Sequence, residues 1–230
     1  MADRVPLSTL YREARERVTD LLRTRLDAGL DDDARTVPAT PGWTVHDVVA
    51  HLAGVAQDVA ERRPLVAGPT PEWTAGHVAR GRDVPLAGLL DQWAAHSVAV
   101  EALLDSRSPW PPVMDLGSHE QDLRGALGVP GARDCPLVVI GAKVLLGGLQ
   151  VPAPLLVTTQ DHRIRVGPDG SQDVPDDERT RLETTTFEAF RWRMGRRSRA
   201  QLAAMAWSGD PEPFLDHLCV FGPAERDLVE

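Results

Sequence analysis

The stretch PGWTVHDVVAHLAG, residues 41–54, decides how the first half of the chain folds. Its Pro-Gly pair indicates a turn, and Thr44 followed three residues later by Asp47 resembles a capping box, the signature of a helix start. Apolar residues then recur at spacings of three and four, at Val45, Val48, Val49, Leu52, Val55, Ala56 and Val59. This period predicts an amphipathic helix that buries one face.

Three further helices are predicted around it. Apolar residues keep the helical spacing over residues 7–30, about 85–105 and about 113–127, and the last of these ends at a Gly-Val-Pro sequence. Residues 64–84 hold several Pro and Gly and are expected to form a long loop. Four helices with one long connection predict an antiparallel four-helix bundle over residues 1–130.

The character of the sequence changes after residue 130. Residues 135–149 are apolar and predict a buried helix, while residues 155–159, 163–166 and 181–186 read as short strands. Short helices are expected from about residues 187, 199 and 211, the second of them with a capping box formed by Ser198 and Gln201. We therefore expect an α+β fold, with a smaller α+β domain over residues 134–230.

Composition excludes several classes of partner. The formal net charge is −9, whereas proteins that bind nucleic acid or anionic membranes need clustered basic charge. No apolar run approaches the ~18–20 residues that span a bilayer, and the charged start has no secretory signal. Two cysteines are too few for a disulfide scaffold. A cytoplasmic protein is expected, with no nucleic-acid or membrane partner and its oligomeric state open.

One set of side chains has the spacing of a metal site. His51 lies on the apolar face of its helix and should point inward. On the fourth helix Asp115, His119 and Asp122 stand at positions i, i+4 and i+7, which places them on one stripe. Two imidazoles and a carboxylate suit a divalent transition metal and leave coordination positions open.

Each part of this pattern has a simpler interpretation. An inward histidine is often a hydrogen-bonded core residue, and Asp115 with His119 can form a polar pair within one helix. Asp122 and Arg124 either support the ligands of such a site or pack the helix, and packing is favoured for Arg124. Arg196-Arg197 either bind an anionic carboxylate or pair at the surface. His46 is expected to be exposed, and His77 stands in no recognisable pattern.

Three motifs together resemble the mycothiol-dependent maleylpyruvate isomerase family. Residues 41–54 resemble its opening motif, and DLGSHEQDLRGALG, residues 115–128, resembles its second. The third resembles its C-terminal signature and comprises Phe190-Arg191, Gly195-Arg196-Arg197-Ser198, Gln201, Trp207, Gly209-Asp210 and Phe221-Gly222-Pro223. The resemblance covers nearly the whole chain, with the motifs in the family's order.

This resemblance implies a DinB-like N-terminal four-helix domain that binds a divalent metal, usually zinc. The family's ligands fall on His51, Asp115 and His119, and its thiol cofactor is mycothiol. This sequence differs from the family pattern at one ligand: the isomerases have Glu where this sequence has Asp115. Asp is shorter by one methylene, which puts the substrate in question.

The resemblance also implies a reaction. A thiol that coordinates zinc loses its proton near neutral pH, and the thiolate can add to the double bond of maleylpyruvate; rotation and elimination then give fumarylpyruvate. We therefore expect a metal- and mycothiol-dependent enzyme acting on a small electrophilic metabolite. Two alternatives stay open: a thiol S-transferase in detoxification, and a non-catalytic protein that uses the metal pocket as a sensor.

Overall fold

The computed structural model describes residues 5–63 and 70–230. The chain divides into two compact units, Met1–Pro130 and Gly131–Glu230. The first is helical, and the second combines short helices with a four-stranded sheet. The predicted α+β class is therefore confirmed. No helix in the described part of the chain is long and apolar enough to cross a membrane.

The first unit is a helical bundle. Its helices are α1 (Leu7–Asp27), α2 (Val45–Ala60), α3 (Pro71–Gly81), α4 (Leu86–Arg107) and α5 (Pro111–Leu127). Helices α1 and α2 each pack against both α4 and α5. This closed arrangement buries the apolar stripes that the sequence predicted, including Val48 and Val49 of α2 and Leu89 and Leu90 of α4. The four predicted helices and their bundle are confirmed.

Helix α3 corrects the prediction of a continuous loop over residues 64–84. Residues 64–69 lie outside the described residues, but 71–81 form a helix that packs on α2. Thr70 caps it by accepting a hydrogen bond from the Trp73 amide, and Pro71 occupies its first turn. Thr-Pro is a good helix start, but the Pro and Gly content of the surrounding sequence obscured it.

A short turn fixes the entry to α2. Thr36 and Thr44 form an antiparallel bridge, and Gly42 closes the turn between them with a φ of +86°, which favours glycine. The Thr44 side chain accepts a hydrogen bond from the Asp47 amide while the Asp47 carboxylate accepts one from Thr44, so the predicted capping box is confirmed. The turn places Trp43 directly before the helix.

Helix α5 buries polar as well as apolar side chains. Glu120 is 1% exposed and accepts hydrogen bonds from the Arg17 guanidinium on α1 at 2.7 and 2.8 Å and from Arg124 on α5 at 3.2 Å. Because a buried carboxylate is costly unless it is paired, these arginines compensate for its lost hydration and orient α5 toward α1. The prediction that Arg124 packs its helix agrees with this contact.

The second unit is built on one small mixed sheet. Its elements are α6 (Pro136–Gly147), β1 (Leu155–Thr158), β2 (Arg163–Val166), β3 (Thr180–Glu183), α7 (Thr186–Arg193), α8 (Arg199–Ala203) and β4 (Ala206–Trp207). The strand order is β2-β1-β3-β4, with β1 and β3 parallel and the outer pairs antiparallel. Helix α6 packs on α7, and Phe190 and Trp192 of α7 are fully buried.

Three details of the second unit differ from the prediction. The third strand ends at Glu183, because Thr185 caps α7 and accepts a hydrogen bond from the Glu188 amide. The segment from residue 211 forms only a 3-10 turn at Leu215–His217. The two-residue strand β4 was not predicted, since so short a run carries no period. The Ser198–Gln201 capping box is confirmed.

A buried carboxylate yields a test of stability against pH. Asp32, 3% exposed, accepts hydrogen bonds from Arg25 near the end of α1 and from Arg35 in the segment leading to α2. Chiefly through Arg25, these guanidiniums hold the pKa of Asp32 below its usual value. Asp32→Asn should lower the free energy of unfolding by about 1–3 kcal/mol at neutral pH.

The contribution of Asp32 is fully present above the carboxyl pKa of the unfolded chain, about 4, and is lost as pH falls through the lower folded value. The stability gap between parent and variant should therefore narrow as the pH falls from about 5 to about 2 in urea unfolding. Asp31→Asn, at an exposed neighbour, is the control. A gap that stays constant over this range would contradict the role given to Asp32.

Candidate metal centre

The bundle brings together the three residues that the sequence singled out as ligands. One ligand atom from each of His51, Asp115 and His119 lies within 4.8 Å of the other two. The Asp115 carboxylate stands between the imidazoles, 3.3 Å from His51 Nε2 and 3.5 Å from His119 Nε2. His51 comes from α2, and the other two come from successive turns of α5. The side chains converge as their spacing predicted.

Burial differs across the three residues. His51 is 2% exposed and His119 is 6% exposed, whereas the Asp115 side chain retains 34% exposure. The imidazoles therefore lie within the helical unit, and the carboxylate marks the side from which solvent reaches the cluster.

Asp122 orients His119 from one turn further along α5. Its carboxylate accepts a hydrogen bond of 2.9 Å from His119 Nδ1, and the carboxylate is fully buried. An ionised carboxylate only accepts hydrogen bonds, so the proton of the neutral imidazole resides on Nδ1. The Nε2 lone pair of His119 then faces Asp115.

A second buried pair holds His51 from the opposite side. His77 on α3 lies with its Nδ1 3.1 Å from His51 Nδ1, and its Nε2 lies 2.9 Å from Asp58 of α2. Burial lowers the pKa of His77 and outweighs the opposing effect of the Asp58 hydrogen bond, with His51 adding to the lowering. Burial therefore favours the neutral form of the His77 ring.

The carboxylate and the imidazoles act strongly on one another in the metal-free protein. Burial alone would raise the pKa of Asp115, but its electrostatic interactions and hydrogen bonds with His51 and His119 hold it well below its usual range. Burial likewise opposes protonation of His119, yet Asp115 and Asp122 raise its pKa to about 9. Without a metal, the cluster attracts a proton into the space between its ligand atoms.

Two tryptophans form apolar walls beside the cluster. The Trp43 ring centroid lies 5.2 Å from that of His51 and 6.1 Å from that of His119. Trp73 meets His51 edge-on at 6.0 Å and His77 at 4.3 Å, and its Nε1 donates to Asp58. Such walls limit water around the imidazoles and lower the local dielectric.

Sequence reasoning missed Asp58 and His77. A signal for Asp58 was available, because it follows His51 by seven residues and therefore lies on the same face of α2. His77 was hidden because its helix was interpreted as a loop. His46 was expected to be exposed, but its ring is half-buried and bonds the Val84 carbonyl at 2.8 Å.

The arginine pair of the second unit is engaged in structural contacts. Arg197 is 7% exposed and donates to both carboxylate oxygens of Glu188, at 2.6 and 2.7 Å, and to Glu230 at 3.2 Å. Arg196 donates to the Met194 carbonyl at 2.8 Å. These contacts favour pairing over the binding of an anionic carboxylate, but the expected surface position is wrong for Arg197, which pairs while buried.

Comparison with known proteins identifies the family. The sequence profile described as "Mycothiol maleylpyruvate isomerase N-terminal domain" matches residues 11–133, more than half of the chain. The chain therefore belongs to the mycothiol maleylpyruvate isomerase family, as the resemblance of its motifs predicted. No curated protein matches the sequence.

Two solved structures share the fold. The crystal structure of a histidine-to-alanine mutant of the mycothiol-dependent maleylpyruvate isomerase aligns with a TM-score of 0.57 at 15% identity. A second crystal structure of the mycothiol-dependent maleylpyruvate isomerase gives 0.52, also at 15% identity. Each alignment covers 90% of this chain and 94% of the other. The likeness extends the family's fold over both units.

A pair of glycine substitutions tests the packing behind the cluster. A Cβ added at Gly54 of α2 would lie 2.7 Å from the His77 ring, whereas one at Gly76 of α3 would meet only the end of Arg80 at 3.8 Å. Gly54→Ala should therefore destabilise the protein by about 1–3 kcal/mol through overpacking. Gly76→Ala, the matched control, should stabilise it by up to about 1 kcal/mol through helix propensity.

Chemical denaturation of both glycine variants against the parent measures this difference. If the Gly54→Ala variant proves as stable as the Gly76→Ala variant, the His77 ring is not held against α2.

Proposed function

We propose that this protein is a metal- and mycothiol-dependent enzyme that acts on a small electrophilic metabolite, with maleylpyruvate as the reference substrate. His51, Asp115 and His119 hold the divalent metal, for which zinc fits the ligand set. The observation that carries the proposal is the convergence of two imidazole nitrogens and a carboxylate within 4.8 Å. Family membership supports the thiol cofactor.

The direction of the lone pairs favours a cation over a simple polar cluster. His119 donates through Nδ1 to Asp122, so the neutral form of the ring turns the lone pair of Nε2 toward another acceptor, the Asp115 carboxylate, at 3.5 Å. Two acceptors that face each other in a buried site repel unless a positive charge lies between them. A proton can fill this role, as the raised pKa of His119 indicates, and a divalent metal fills it better.

The ligand set also fits catalysis better than a closed structural site. Among residues 5–63 and 70–230, the geometric cluster contains three protein ligands and no fourth. Zinc in catalytic sites keeps three protein ligands and an open position, while structural zinc takes four. A divalent metal held here would lower the pKa of a coordinating thiol and so supply a thiolate near neutral pH.

The chain's own residues prepare the site for this chemistry. Asp122 holds the His119 ring so that Nε2 points at the cluster. Trp43 and Trp73 cover the His51 ring and limit water around the thiol. The exposed side of Asp115 admits the thiol and the electrophile.

The aspartate at position 115 bears on the choice of substrate. It carries the charge of a glutamate on a shorter side chain, so the metal would be held closer to the α5 backbone. The space left on the open side differs from that beside a glutamate ligand, and we expect substrate preference to differ accordingly. A site of this kind can support either isomerisation or transfer of the thiol to the substrate.

Asp115 provides the direct test of metal binding. In protein stripped of metal, zinc affinity is measured by competition with a chromophoric chelator. Asp115→Asn preserves shape but removes the negative charge and one anionic ligand, so its affinity should fall by more than about 10-fold. Asp115→Glu retains the charge and should bind zinc, with a loss smaller than that of the amide.

Asp91→Asn is the matched control, because this α4 carboxylate is 72% exposed and forms an ion pair with the surface residue Arg23. Its zinc affinity should equal that of the parent. Equal affinity in folded Asp115→Asn would remove the carboxylate from the ligand set and the proposed mechanism with it.

A panel of substrates distinguishes the proposed activity from its alternatives. Zinc-loaded protein is incubated with mycothiol and either maleylpyruvate or other electrophiles, and products are separated by chromatography. Fumarylpyruvate with mycothiol regenerated indicates an isomerase, and a stable thiol adduct indicates an S-transferase. Binding of zinc and thiol without turnover of any substrate would favour a sensor and contradict the enzymatic proposal.

A further inference from the structure

The pair formed by Asp58 and His77 lies behind His51, away from the open side of the cluster. Asp58 stands near the end of α2, and His77 stands on the facing surface of α3. Both are almost fully buried, at 3% and 1% exposure. Neither belongs to the three candidate ligands, yet the His77 ring contacts one of them directly.

Hydrogen-bond accounting begins at Asp58. Its carboxylate lies 2.7 Å from the Arg80 guanidinium and 3.1 Å from Trp73 Nε1, and both of these groups can only donate. The third partner is His77 Nε2 at 2.9 Å. A carboxylate held by an arginine is ionised and accepts, so His77 must donate through Nε2.

The same accounting then determines the tautomer of His51. The ring hydrogen of His77 is committed to Asp58 through Nε2, which leaves an acceptor lone pair on His77 Nδ1. His51 Nδ1, 3.1 Å away, must therefore donate to it. The remaining nitrogen of His51, Nε2, is left with a lone pair, and it lies 3.3 Å from Asp115.

We propose that Asp58 and His77 are positioning residues that hold His51 in the tautomer that binds metal through Nε2. The three residues form a relay in which Asp58 accepts from His77 and His77 accepts from His51. The inference rests on the proposed metal site. In the relay, each imidazole ligand is oriented by a buried carboxylate. Asp122 holds His119 directly, whereas Asp58 holds His51 through the His77 ring.

A relay of this kind has two physical consequences. It disfavours the competing tautomer of His51, so metal binding does not require the His51 ring hydrogen to move from Nε2 to Nδ1. It also makes His51 Nε2 a stronger electron-pair donor to a metal, because the Asp58 carboxylate at the far end of the relay polarises each ring in turn. A purely structural role for His77 would require only that its ring fill the space beside Gly54.

The tautomer is tested first in the parent protein without metal. Long-range proton–nitrogen NMR of the histidine rings distinguishes the nitrogen that carries hydrogen from the one that does not. His51 should carry its hydrogen on Nδ1, and His77 should carry its hydrogen on Nε2. The reverse assignment at either ring would overturn the relay, and this measurement requires no variant to fold.

Zinc binding by variants provides the second test. His77→Phe keeps an aromatic ring beside Gly54 but removes both nitrogens, and Asp58→Asn removes the charge that orients His77. Each should weaken zinc binding by about 10- to 100-fold, the usual effect of losing a group that orients a histidine ligand. The matched control is His46→Phe, because His46 also lies on α2 but bonds the Val84 carbonyl.

The two variants and the control give distinct outcomes. The relay is overturned if folded His77→Phe or Asp58→Asn binds zinc within about threefold of the parent, or if His46→Phe loses as much affinity as they do. If His77→Phe does not fold, Asp58→Asn and the NMR assignment decide. A parent that binds no zinc would refute the proposed function instead, while the NMR assignment would still test the hydrogen-bond relay.

Discussion

The first unit depends on one constraint: polar side chains that its helices bury must find partners inside the bundle. His51 on α2 faces Asp115 and His119 on α5, and burying these polar groups without partners would be costly. Their mutual contacts satisfy part of this need. The acceptors that still face one another define where a cation is favoured.

The surroundings of the cluster follow from the same constraint. Each imidazole has its distal nitrogen engaged by a buried group, which is Asp122 for His119 and His77 for His51. The negative charges of the carboxylates that orient these rings are compensated in turn. The charge of Asp58, for example, is paired with Arg80. Close packing is needed for these contacts, and Gly54 provides it by leaving room for the His77 ring against α2. Packing and electrostatics therefore support the same arrangement.

Much of this fold was predictable because its signals are local. The capping box at Thr44 and Asp47 and the apolar period of α2 act within a few residues of each other, and both are present as predicted. The stripe of Asp115, His119 and Asp122 follows from helical geometry alone. Helix α3 was missed because it contains few large apolar residues and lies in a sequence rich in Pro and Gly, so its packing on α2 outweighs local preference.

The sequence by itself determined the helical bundle, the α+β class, the family and the three residues that meet at the cluster. These depend on periodicity and on motifs whose members are close in the chain. Only the tertiary structure decided that His77 contacts His51 and that Asp58 anchors His77 with Arg80 and Trp73. Hydrogen bonds between separate helices depend on distances of about 3 Å, and such distances are set by how the helices pack and not by any spacing along the chain.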